Sequence, residues 1–157
     1  MGLADIIEKG GIYHNLKGHS PHSALTALVE MLPPLLPVNR EKLLEAVLER
    51  EDLMSTAIGN GIALPHPRNH VLNDDKDQFA ALAFLDRELN WNALDGKNVN
   101  TLFLIVSASA RQHLVMLSEI TYFSRQENFI RLLKERSPLE EILLFIREAE
   151  KNWKKNL

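Results

Sequence analysis

The chain has 157 residues, 45% of them hydrophobic, a formal charge of −3 and no cysteine. That size and apolar content suffice for one domain with its own core, spanning 1–157. The missing cysteines exclude thiol catalysis, thiolate metal sites and disulfides, and fit a reducing compartment. Lys and Arg are spread along a mildly acidic chain, which argues against nucleic acid as a partner. Asp5 and Glu8 interrupt the apolar patch of the N-terminus, so no signal peptide is expected, and no run reaches membrane-spanning length. A cytoplasmic protein with no direct membrane insertion is the expectation.

The first element, "LADIIEKGG", reads as a short helix stopped by Gly10 and Gly11, and "IYHNL" as a short strand. In "SPHSALTALVEML", Ser20 is placed to cap a helix with Pro21 at its first position. Leu25, Leu28, Val29 and Leu32 form its apolar stripe, and Pro33-Pro34 ends it. A further helix is predicted from Asn39, its cap, to Arg50, with Leu43, Leu44, Val47 and Leu48 inward. Two near-continuous apolar runs, 79–85 and 99–108, read as strands covered on both faces. "ARQHLVMLSEITYFSRQ" shows Leu114, Leu117 and Ile120 at helical spacing, and "ENFIRLLKER" continues as another helix. Ser137-Pro138-Leu139-Glu140 has the form of a capping box before a last helix with Leu139, Ile142, Leu143 and Ile146 inward. Residues 151–157, basic in character, are expected to fray. The elements together predict an α/β sheet layered between helices.

Between the helix ending at Arg50 and the strand at 79–85 lies "STAIGNGIALPHPRN", residues 55–69. Gly59-Asn60-Gly61 is a permissive turn that can take positive φ and let its amides converge, and "IAL" has strand character. Each proline disfavours helix at the residue before it, so Leu64 and His66 are pushed to extended conformations. His66 is thereby held out by a stiff segment at a strand end, which suits a nucleophile or a ligand. A neutral imidazole is a good nucleophile when one ring nitrogen is free and the other donates a hydrogen bond. Transfer of a phosphoryl group would also need cations and donors nearby. Arg50, Arg68, the amides of Gly59, Asn60 and Gly61, and His113 near the start of its helix are the candidates.

"AVLEREDLMSTAIGNGIALPH" resembles the phosphorylation-site segment of the type-2 IIA domains of the bacterial sugar phosphotransferase system. That group includes mannitol, fructose and nitrogen-regulatory IIA proteins. The resemblance extends to the early "LADII", to "LNWNALDGKNVNTLFLIVSA" and to the histidine of "RQHLVMLSEI". It implies a mixed sheet of about five strands with helices on both faces, and a phosphohistidine intermediate. By position, His66 would accept the phosphoryl group at Nε2 from phospho-HPr, His113 would lie beside it, and Arg50 would help hold the phosphate. The product would pass to a IIB domain or, in the nitrogen-regulatory branch, act on a regulatory target. No metal or other cofactor is implied. The family most often has Gly after the active histidine, whereas this chain has Pro67, which lacks an N–H, followed by Arg68, a possible compensating donor.

Other constellations are weaker. His66 and His70 have the spacing of a helical zinc pair, but Pro67 opposes a helix and no glutamate lies between them. His14, His19 and His22 are expected to be solvated. Ser107 and Ser109, near His113, have no Gly-x-Ser-x-Gly elbow and are read as lining the site. Asp74, Asp75 and Asp77 with Lys76 read as a polar loop. Three functions therefore compete: a nitrogen-regulatory phosphocarrier read by other proteins, a sugar-specific IIA donating to a separate IIB, and an unrelated metal-dependent hydrolase. A compact IIA unit with no IIB or membrane portion alongside it favours the first.

Overall fold

The computed structural model describes residues 2–155, with side chains through residue 152. Within them lie six α-helices and five strands: α1 (Leu3–Gly10), β1 (Ile12–Leu16), α2 (Pro21–Met31), α3 (Arg40–Leu53), β2 (Ala57–Gly59) and β3 (Ile62–Ala63). They continue with β4 (Phe79–Leu89), β5 (Val99–Val106), α4 (Ala110–Phe123), α5 (Glu127–Lys134) and α6 (Leu139–Lys155). The strands form one mixed sheet in the order β1-β4-β5-β3-β2. β1 is parallel to β4 and β3 to β5, whereas β4/β5 and β2/β3 are antiparallel. No helix among the described residues is long and apolar enough to cross a membrane.

The alternation of side chains along the central strands builds two apolar layers. Phe79, Ala81, Ala83 and Leu85 of β4 pack with Leu25, Leu28 and Val29 of α2 and Leu43 and Val47 of α3. Ala80, Leu82 and Phe84 face the other way, against α1, α4, α5 and α6. Each large apolar side chain so buried contributes roughly 1.5–3 kcal/mol. At Gly10 a Cβ would collide with the carbonyl of Ala80. That glycine therefore ends α1 and also lets the helix lie close on β4. Caps match the sequence reading at two starts: Ser20 accepts from the Ser23 N–H, and Asn39 accepts from Lys42 N–H at 3.0 Å.

The structure moves several boundaries. α3 continues to Leu53, three residues past Arg50, because no breaker follows that arginine. β4 runs to Leu89 beyond the apolar stretch that suggested an end at residue 85. Its pairing with β5 resumes at Leu89↔Val99 after a register shift. β5 stops at Val106, since Ser109 turns away to cap α4 by accepting from Gln112 N–H. On α4 the buried face is Met116, Ile120 and Phe123, and Leu114 is 63% exposed. Pro138, in place of Ser137, supplies the first carbonyl of α6, accepting from Ile142 N–H at 3.3 Å. That helix persists through Lys155 where fraying was expected from residue 151, and residues 156–157 lie outside the described residues.

Candidate functional site

His66 lies just beyond the end of β3, where strand pairing stops. The Leu64 N–H donates to the Thr56 carbonyl at 2.9 Å, and Ile105 N–H donates to the Pro65 carbonyl at 3.0 Å. The chain is therefore held on both sides up to Pro65. Pro67 then offers no donor to continue the ladder. The imidazole turns back so that Nδ1 lies 2.9 Å from the Leu64 carbonyl oxygen. A carbonyl only accepts, so Nδ1 carries the proton and Nε2 is left with its lone pair.

The same alternation that sends Ile62 and Leu64 toward the α4 layer sends His66 there as well. Its ring meets that of His113, in the second turn of α4, with centroids 4.4 Å apart and planes inclined by 48°. Burial lowers the pKa of His66 below the usual histidine value. The bond to Leu64 and the Glu51 carboxylate oppose this shift, and the Arg50 guanidinium adds to it. His113 is lowered further, to about 4, first by burial and then by the positive fields of His66, His70 and Arg50. Both rings are accordingly neutral near pH 7. A cluster of imidazoles and a guanidinium that can hold little additional positive charge is suited to receive an anion.

Two neighbours come from the C-terminal turn of α3. Arg50 donates from Nη1 to the carbonyl of Met54 at 2.6 Å, an orphan carbonyl just past the helix end. Its charge nevertheless acts on both rings. Glu51 accepts twice from Thr56, from N–H at 2.8 Å and from Oγ at 2.6 Å. Sequence reasoning missed Glu51, because a helix ending at Arg50 leaves the next residue in a loop with no assigned direction.

Other expected residues lie elsewhere. Gly59, Asn60 and Gly61 do adopt positive φ, at 95°, 55° and 80°. They form the tip of the β2/β3 hairpin, and the extended chain from Gly61 to His66 spans on the order of 15 Å. The Asn60 N–H donates to Asp95 Oδ2 at 3.0 Å, and its side-chain amide donates to the Ser124 carbonyl at 3.3 Å. The structure thus brings His66, His113 and Arg50 together and leaves the glycine turn at the far end. Arg68 donates through Nη1 to Glu49 Oε1 at 2.6 Å, and its N–H to the Ala46 carbonyl at 3.0 Å, which ties the segment after Pro67 to α3. Ser107 is buried at the end of β5 and Ser109 is used as a cap. The histidines expected to be solvated are exposed: His14, whose ring lies beside Phe84, His19, and His22, which lies 2.6 Å from Asp52. The acidic loop forms a single 3-10 turn, with Asp74 accepting from Lys76 N–H.

The family model of the phosphoenolpyruvate-dependent sugar phosphotransferase system, EIIA 2, matches residues 5–149. The chain belongs to this EIIA 2 family. A nitrogen regulatory protein of Klebsiella oxytoca is 30% identical over 154 residues, covering 97% of this chain and 94% of that protein. The fructose-specific EIIABC component of Bacillus subtilis is 27% identical, covering 96% of this chain and 24% of its own length. Among solved structures, the nitrogen regulatory protein IIA-Ntr of Neisseria meningitidis superposes with a TM-score of 0.77. It covers 91% of this chain and 97% of that one at 24% identity, a likeness of fold. EIIA 2 proteins are phosphotransfer components, and mixed five-stranded topology with helices on both faces is the architecture shared with them.

Proposed function

We propose that this EIIA 2 protein is a phosphohistidine carrier that accepts a phosphoryl group on Nε2 of His66 from the phosphohistidine of HPr. The observation that carries this reading is the Nδ1–H···O=C bond to Leu64, which leaves Nε2 as the free nucleophile. As the Nε2 lone pair forms the new N–P bond, the N–P bond to the donor breaks and its electron pair stays on the donor imidazole. No proton has to move in that exchange. The His66 ring gains positive charge as the bond forms, so the hydrogen bond to Leu64 strengthens toward the transition state. Arg50 and the neutral His113 supply donors to the phosphoryl oxygens, and the N-terminus of α4 adds partial positive charge. Arg68, held by Glu49, and the distant glycine turn are left out of this set.

Enzymatically the protein is a phosphotransferase that works in the cytoplasm as a regulator of the nitrogen-regulatory type. Similarity to nitrogen regulatory proteins over nearly their whole length supports that branch. The second reading, a sugar-specific IIA that donates to a separate IIB, is supported by the similarity to part of the fructose-specific EIIABC component. The test is intact mass after incubation with phosphoenolpyruvate, Enzyme I and HPr, beside His66→Ala and with acid treatment. An acid-labile gain of one phosphoryl group in the wild type alone is expected. No gain with active partners would overturn the carrier reading. Transfer onward to fructose- or mannitol-type IIB would favour the second reading over the first.

A further inference from the structure

The hydrogen bonds behind His66 form an unbroken chain that starts at a carboxylate. Glu51, in the last turn of α3, accepts from both the N–H and the hydroxyl of Thr56, at 2.8 and 2.6 Å. The Thr56 carbonyl accepts from Leu64 N–H at 2.9 Å, and the Leu64 carbonyl faces His66 Nδ1 at 2.9 Å. Thr56 is 6% exposed, so the first link is shielded from water that would otherwise compete for it. Ala57 N–H is taken by the Ser55 hydroxyl, and β2 is the edge strand with β3 as its one neighbour in the sheet. Without Glu51, Thr56 would have two donors to satisfy elsewhere, and the edge strand that begins right after it would lose its tie to α3.

We propose that Glu51 is a positioning residue for His66, acting through Thr56 and Leu64 to aim the carbonyl that selects the Nδ1–H tautomer. The carboxylate does not touch the phosphoryl group. It clamps Thr56, Thr56 fixes the height of Leu64 in the hairpin, and Leu64 orients the ring. A displacement of the Leu64 carbonyl frees the ring to carry its proton on Nε2, and that tautomer has no lone pair on Nε2, the atom facing the donor, for attack. The proposal rests on the reading of His66 as the acceptor, but its first link concerns the unphosphorylated protein.

Two readouts separate the claims. Ring ¹⁵N shifts of the unphosphorylated protein, labelled at histidine, give the His66 tautomer at pH 8, and quench-flow with phospho-HPr gives the rate. In the wild type the Nδ1–H form is expected to dominate. Glu51→Ala is expected to bring the tautomers toward parity and slow phosphorylation at least about tenfold. Glu51→Gln is expected to recover most of both, because an amide can accept from the Thr56 N–H and donate to its hydroxyl. Thr56→Val, which removes only the hydroxyl link, is expected to shift both in the same direction by less, and it serves should Glu51→Ala fail to fold. Wild-type tautomer and rate in the folded Glu51→Ala or, failing that, in Thr56→Val would overturn the proposal. So would a Glu51→Gln variant as impaired as Glu51→Ala, since the residue would then act by its charge. If wild type takes up no phosphoryl group, the carrier reading falls, and the tautomer measurement still decides the positioning of the ring.

Discussion

The two ends of one hairpin use opposite backbone chemistry. At the tip, Gly59-Asn60-Gly61 has three consecutive residues at positive φ, and its polar groups are satisfied within the fold by Asp95 and Ser124. At the base, two prolines bracket His66, and the ring hydrogen-bonds to its own chain two residues back. Freedom of rotation closes the hairpin, and restriction of rotation presents the imidazole. A motif read as one functional unit is thus two devices about 15 Å apart along an extended chain. The tip serves folding, and under the proposed carrier function the base serves chemistry.

Substitutions can separate the two, and the largest effect is expected at the base. His66→Ala should lose phosphoryl uptake outright while leaving the thermal transition close to that of the wild type, checked by intact mass and differential scanning calorimetry. Arg50→Ala should slow phosphorylation by on the order of 100-fold, as expected when a charged donor is removed from a transferring group. Arg50→Lys should recover only part of this, since lysine lacks the planar fork. A tip substitution should do the reverse. In Gly61→Ala the new Cβ would sit 2.9 Å from Asn100 Nδ2 at a φ of +80°. The expected cost is roughly 1–3 kcal/mol in urea unfolding, with the folded fraction still phosphorylated at the normal rate. If Gly61→Ala instead slowed transfer in the folded protein, the two ends would be coupled after all.

Acid gives a subtler contrast. The folded-state pKa of His113, about 4, lies below the ordinary 6.5, so the unfolded chain binds that proton first. The stability associated with neutral His113 is present above about pH 6.5 and is lost as pH falls toward 4. His66, lowered for the same leading reason of burial, contributes in the same direction. His113→Gln should therefore flatten the fall of unfolding free energy across that window, measured by urea titration at several pH values. The smallest effect is expected at Arg68. With its guanidinium on Glu49 in an exposed pair, Arg68→Ala should leave the phosphohistidine lifetime within about twofold of wild type.

Much of this arrangement could be read from local pattern. Ser20 and Asn39 announce their helices because their side chains answer a need confined to one turn. The prolines around His66 act on adjacent residues only, so its extended presentation was legible too. What local pattern could not supply was anything set by strand register. The distance between the glycine turn and His66 follows from Ile62 pairing with Thr101 and Pro65 with Ile105, which no single stretch encodes. The proximity of His113 came from family resemblance rather than from its spacing. Glu51 escaped both routes, since its partner lies across a helix end whose position was misplaced by three residues. The helical spacing of Leu114, Leu117 and Ile120 identifies a stripe but not which of two overlapping stripes is buried, and Leu114 is exposed.

The strict alternation between the two faces of β3 has a consequence for length variation. Ile62, Leu64 and His66 share one parity, and Ala63 has the other, facing the α2 and α3 layer. With the β3/β5 register kept, inserting or deleting one residue between Ile62 and His66 would therefore invert the histidine to the opposite face, away from His113, whatever residue was added. Two residues would restore the face and only change the reach. Tolerated changes in this segment are quantised in twos, a rule of counting that holds independently of composition.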